Sequence, residues 1–130
     1  MLESCEVAPT IPTRDIAKAR RFYEDKLGLH VMSEDDGGVT YRCGSSGIYV
    51  YESEHAGTAK HTLCSFEADH VDEEIEELRT RGVRFETYDL DGVSWKGDVA
   101  QIGDIHGVWF KDVDGNILGL FEKSHVTAGV

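Results

Sequence analysis

The feature that most constrains this chain is an internal repeat. Two stretches, Asp15 to Gly28 and Asp69 to Gly82, have the same length and the same punctuation. Each opens on a carboxylate able to cap a helix and closes on a glycine able to end one in left-handed backbone. In the first, Ile16, Ala19, Phe22, Tyr23 and Leu27 fall on one helical face; in the second, Val71, Ile75 and Leu78 do. Asp72, Glu73 and Glu74 occupy the first turn of the second helix, with Arg79 and Arg81 near its end, the polarity that a helix dipole favours.

Strand signals surround each helix in the same order. Val7–Pro12 precedes the first helix, and its two prolines suit a sheet edge. Leu29–Ser33, Val39–Cys43 and Ile48–Glu52 follow, separated by the turn sequences DDGG and GSSG. In the second half Thr62–Glu67 precedes the helix. Val83–Tyr88, Ile105–Lys111 and Ile117–Glu122 follow it, the last two joined by an Asp-Val-Asp-Gly-Asn turn. The expected fold is α+β: two βαβββ modules forming a curled mixed sheet around a central cleft, with helices on the outer face. One domain over residues 1–130 is expected, with modules at about 7–54 and 61–123 and a loose tail at 124–130. Leu90–Asp104, Gly-rich and carrying Trp95, reads as a long loop, a kind of segment more often functional than idle.

Charge narrows the partners. The formal net charge is −12. Nucleic acid and anionic membrane surfaces need clustered basic residues, so neither is an expected partner. The acidic balance has two readings, solubility or attraction of a cationic ligand. No apolar run reaches the length of a membrane span, and the first residues lack a signal-peptide pattern, so a cytoplasmic location is expected. Cys5, Cys43 and Cys64 are odd in number and widely spaced, which reads as reduced, structural thiols.

Three stretches resemble one known family. IPTRDIAKARRFYEDKLGL is similar to the opening strand-helix unit of the glyoxalase/bleomycin-resistance/dioxygenase (vicinal oxygen chelate) superfamily. AGTAKHTLCSFEADHVDEEIEELRTRGVRFETYDLDG resembles the start of that family's second half, and VWFKDVDGNILGLFE its closing hairpin. Their order and spacing, on a doubled βαβββ pattern, cover about residues 7–122. The resemblance implies a homodimer with a small-molecule cleft. It does not fix the activity, because one fold serves many chemistries.

The family's enzymes hold a divalent metal with His, Gln or Glu, and the resemblance implies where those ligands would fall. The positions are Ala8 on the first strand, Tyr49 or Tyr51 on the fourth, His61 at the start of the second half, and Gly119 on the last strand. Ala8 and Gly119 carry no donor and are expected to leave space. A lone His61 cannot hold a divalent ion, since such sites use three or more protein ligands. No metal and no other cofactor is therefore expected; a non-standard set with His61, His106 and an acid is the alternative. In place of ligands stand aromatics. Tyr49 and Tyr51 share a strand face, and Phe121 has the parity of Gly119. By resemblance Trp109 lines the pocket, and Trp95 is placed to close over it. Tyr49, Tyr51 and Trp109 are equally readable as packing residues.

Two functions remain open. One is capture of a flat or aromatic small molecule, a cationic one included, by Tyr49, Tyr51, His61, Trp95, Trp109 and Phe121, as in a sequestration or resistance protein. The other is a glyoxalase-like lyase or isomerase, or a dioxygenase-type enzyme. It would use an atypical metal site or His61 as base with Tyr49 or Tyr51 as acid.

Overall fold

In each half of the chain the first strand pairs in parallel with the last. A parallel pair needs a crossover connection, and in each half the connection contains the helix. A computed structural model describes residues 1–123; the tail expected at 124–130 lies outside the described residues. The chain divides into two compact units. The first comprises Met1–Thr58 and Val113–Asn116; the second comprises Ala59–Asp112 and the described residues from Ile117.

In the first unit the elements are β1 (Thr10–Thr13), α1 (Ile16–Arg21), β2 (His30–Asp35), β3 (Gly38–Cys43) and β4 (Ser46–Glu52). The sheet order is β1-β4-β3-β2, with β1, which contains Pro12, at an edge. Asp15 caps α1, its carboxylate accepting a hydrogen bond from the Lys18 amide at 3.2 Å. The helix widens into a π-type turn over Phe22–Lys26 before Gly28, at φ 70°, ends it. Ala19 and Tyr23 are buried on the face that covers the sheet. Tyr23 stacks on Tyr41 of β3 at 5.9 Å, and the Tyr41 hydroxyl donates to Glu24 at 2.9 Å.

The second unit contains β5 (Thr62–Ala68), α2 (Val71–Thr80), β6 (Phe85–Glu86), β7 (Ser94–Lys96), β8 (Val99–Ile102), β9 (Ile105–Lys111) and β10 (Ile117–Glu122). The sheet runs β5-β10-β9-β8-β7, and β6 also pairs with β9. Val71, Ile75 and Leu78 of α2 are buried, as their spacing predicts. The helix ends in a Schellman motif: the Gly82 amide bonds to Arg79 O and the Val83 amide to Leu78 O, both at 3.0 Å.

Both units are mixed α+β, as expected, but three local expectations are corrected. Asp69 does not cap α2; the N-cap is His70, and its carbonyl takes the amides of Glu73 and Glu74. Val83–Tyr88 contributes only the two-residue β6, because only Phe85 and Glu86 reach a partner strand. Leu90–Asp104 is not a plain loop. It contains the β7–β8 hairpin, whose strands of three and four residues are too short to display alternation.

The turn between β9 and β10 carries a fully buried polar side chain of the first unit. Asn116 is 1% exposed; its amide donates to Pro12 O at 2.7 Å, and its oxygen accepts from the Gly57 amide at 2.9 Å. Asn116 thus joins β1 to the segment after β4. Asn116→Ala is expected to destabilise the protein by about 1–3 kcal/mol, because it leaves buried backbone groups unsatisfied. Urea unfolding monitored by circular dichroism checks this.

Candidate functional site

On the second sheet, strand alternation sends Trp95, Ala100, Trp109, Ile117 and Phe121 to the face away from α2. Trp109 is the centre of that group, 8% exposed. Its ring meets Phe121 at 5.1 Å, Tyr88 at 5.7 Å and Trp95 at 5.9 Å between centroids. The Phe121 and Tyr88 contacts are edge-to-face, the arrangement that the ring quadrupole favours. The indole N–H donates to Thr62 Oγ1 at 3.1 Å. Trp109 is therefore a buried keystone, while Tyr88, Trp95 and Phe121 remain partly exposed around it.

Tyr88 did not stand out in the sequence, because it follows a strand of only two residues and its parity cannot be counted. Its hydroxyl oxygen is buried and has no hydrogen-bond partner among the described residues. Burial, and after it the charge of Glu86, raises the hydroxyl's pKa, so it stays a neutral donor.

The space expected above Gly119 is not open. A Cβ at Gly119 would lie 2.6 Å from Cε2 of Phe121 and 2.8 Å from Ser65 Oγ. A Cβ at Gly107, on the neighbouring strand, would collide with the Leu120 carbonyl and the Phe121 ring. Two glycines therefore let the Phe121 ring lie against the backbone. The residues do not fit the divalent metal of the family's enzymes. Gly119 offers no donor and is covered by a ring, and Ala8 is exposed and precedes β1. Among the described residues no group of three or more His, Cys, Asp or Glu is arranged to hold a metal ion.

His61 is exposed just before β5, its Nδ1 3.0 Å from Thr62 O. It thus neighbours the threonine that holds the Trp109 indole. The alternative pairing of His61 with His106 is not formed. Strand register puts His106 near the Phe121–Glu122 end of the sheet, whereas His61 lies beyond Thr62, opposite Ile117. His106 also faces α2, with Nε2 2.8 Å from Asp72 and Nδ1 3.3 Å from Glu122.

Tyr49 and Tyr51 belong to the first unit, on the face of β4 away from α1. Their rings lie parallel, 5° apart in plane and 6.0 Å between centroids. The Tyr49 hydroxyl donates to Asp35 Oδ1 at 2.8 Å, and the same oxygen accepts the Gly37 and Gly38 amides. These bonds, with that of Tyr49 foremost, hold the Asp35 carboxyl below the usual carboxylate range and raise Tyr49. Tyr49 is thus committed to the β2–β3 turn. Two clefts of the first unit lie apart from the Tyr49–Tyr51 pair in their linings. One of about 240 Å³ includes Arg20, Glu34, Asp35, Asp36 and Glu52; one of about 400 Å³ is lined by Arg14, Glu52, Ser53 and Glu54. Both are predominantly acidic.

A mixed sheet whose first and last strands pair in parallel, present twice, with aromatic side chains opposite the helix, defines a class of two-module proteins. The chain belongs to the glyoxalase/bleomycin resistance protein/dioxygenase superfamily, whose family model matches residues 6–120. It is 25% identical to a bleomycin resistance protein of Geobacillus stearothermophilus, over 88% of this chain and 94% of that one. Among solved structures it is similar in fold to a bleomycin-binding protein complexed with bleomycin. The TM-score is 0.71 and the identity 19%, covering 93% of this chain and 100% of that one. It is also similar to lactoylglutathione lyase from Agrobacterium tumefaciens, with TM-score 0.67 and 19% identity over 92% and 93% of the two chains. Among the described residues no helix is long and apolar enough to cross a membrane.

Two outcomes follow for these residues. Gly119→Glu, which installs a metal-ligand side chain, is expected to displace Phe121 and destabilise the fold by about 1–3 kcal/mol, without stoichiometric zinc or manganese binding. Unfolding curves and metal analysis check both parts. Tyr49→Phe removes the foremost cause of the low Asp35 pKa, which should rise toward the ordinary carboxylate range. Because that carboxyl is depressed in the folded state, the stability it contributes is present above its unfolded pKa and is lost as pH falls through its folded one. In the variant that contribution should be smaller and its loss complete at a higher pH. A carboxyl NMR titration of Asp35 reads the shift directly.

Proposed function

We propose that this protein captures a small molecule with a planar aromatic part and holds it without chemical turnover. The observation that carries this reading is the Phe121 ring packed over Gly119, at the position where the family's enzymes place a metal ligand. In this reading Trp95, Phe121 and Tyr88 form the stacking surface, and Trp109 holds it in place from beneath. His61 stands at the other end of β10 from Phe121, exposed next to the threonine that holds Trp109. The Tyr49–Tyr51 pair of the first unit is of the same chemical kind, a flat aromatic surface with a polar rim. The net charge of −12 favours encounter with a cationic ligand, and cations bind well over indole faces. The same reading includes a homodimer in the cytoplasm and no requirement for a divalent metal.

Bleomycin is the first probe, because the bleomycin resistance and bleomycin-binding relatives point to it. Calorimetric titration is expected to show saturable binding that EDTA leaves unchanged. Trp95→Ala should weaken it about 3–10-fold, the equivalent of one aromatic contact of about 0.5–1.5 kcal/mol. Trp109→Ala is the wrong test, since truncating so buried a ring costs about 3–5 kcal/mol of stability. If neither bleomycin nor a panel of planar cationic compounds binds or raises the melting temperature, the proposal fails.

A further inference from the structure

The β7–β8 hairpin carries Trp95 and is weakly anchored by its own ladder. Strand β7 has one neighbour, and β8 meets β9 through three residue pairs, from Ala100–Gly107 to Ile102–Ile105. So short an edge hairpin does not hold itself rigid. Two further contacts fix it, from opposite sides of the sheet. On one side the Trp95 ring rests on Trp109. On the other, Asp98 in the hairpin turn receives both terminal nitrogens of Arg79, from the last turn of α2, with Nη1 to Oδ2 at 2.9 Å.

Arg79 is itself held in place. Its guanidinium carbon lies 4.9 Å over the Phe85 ring, and its Nε is 3.4 Å from Glu76. An isolated surface ion pair contributes little, but a bidentate pair within a network is the exception. Stacking on Phe85 fixes the plane of the guanidinium, and the planar fork then fixes the carboxylate. The other end of the hairpin turn carries Gly97 at φ 64°, so the turn geometry around Asp98 is sharply defined.

We propose that Arg79 and Asp98 are positioning residues for ligand capture: their ion pair ties the hairpin to α2 and thereby sets Trp95 over Trp109. The consequence for affinity rests on the binding function proposed above; the consequence for Trp95 does not. The two are separable by experiment, because the chain has only two tryptophans.

In a Trp109→Phe background, Trp95 is the sole indole. There Asp98→Asn, and separately Arg79→Met, which keeps an aliphatic cover over Phe85, should red-shift Trp95 emission and raise its acrylamide quenching at least twofold. The far-ultraviolet circular dichroism should stay unchanged. The charge-exchanged double variant, Arg79→Asp with Asp98→Arg, should restore the emission at least in part. With Trp109 intact, Asp98→Asn should weaken bleomycin binding about tenfold, and the exchanged pair should recover it. Unchanged Trp95 emission and quenching in both single variants would overturn the positioning role. So would bleomycin binding equal to wild type in Asp98→Asn, which would leave the capture reading standing. If wild-type protein does not bind bleomycin, that ligand is ruled out, and the Trp95 measurements still decide the role of the pair. If the single variants lose their secondary structure, Asp98→Glu, which keeps the charge and lengthens the arm, takes their place, and again an unmoved Trp95 counts against the proposal.

Discussion

The pairing of first strand with last, β1 with β4 and β5 with β10, is the constraint from which the rest of each unit follows. Parallel neighbours cannot be joined by a tight turn, so a helix must carry the chain across one face of the sheet. That face becomes the packed core, with Tyr41, Ile48 and Val50 in the first unit and Val108, Phe110 and Leu118 in the second. The opposite face is left without a helix. In this chain it carries Tyr49 and Tyr51 in the first unit and Trp95, Trp109 and Phe121 in the second.

Those aromatics are placed by the backbone beneath them and by the side chains around them. A chelating site needs donors at several fixed points; an aromatic surface needs a backbone that lets rings lie flat and neighbours that hold them. Gly107 and Gly119 supply the first, and Trp109, fixed by Thr62, supplies the second. The polar groups nearby include Ser65 Oγ, next to Gly119, and the buried Tyr88 hydroxyl. Such a surface can discriminate by shape and by one or two hydrogen bonds, which is the economy of a binding protein.

Much of this was legible in the sequence, for identifiable reasons. The repeated interval located both helices, because the left-handed glycines that end them and, for α1, the Asp15 cap are local chemistry. Parity placed Tyr49 with Tyr51, and Phe121 with Gly119, because β4 and β10 are long enough to count along. The hairpin within Leu90–Asp104 stayed hidden, since strands of three and four residues show no period. Tyr88 stayed hidden for the same reason. The filling of the Gly119 space is a different kind of failure. Parity says which face a side chain takes but not which way its ring leans, and Phe121 leans back over the glycine two positions before it. The Arg79–Asp98 pair depends on where a hairpin turn meets a helix end, which no local pattern encodes.

The bed of Gly107 and Gly119 beneath a single phenyl ring ties three positions into one unit of inheritance. A side chain at Gly119 demands a smaller residue at 121, and one at Gly107 meets the Leu120 carbonyl whatever stands at 121. A smaller residue at 121 in turn uncovers Trp109 on one flank. No single substitution in this bed therefore leaves the other two positions undisturbed.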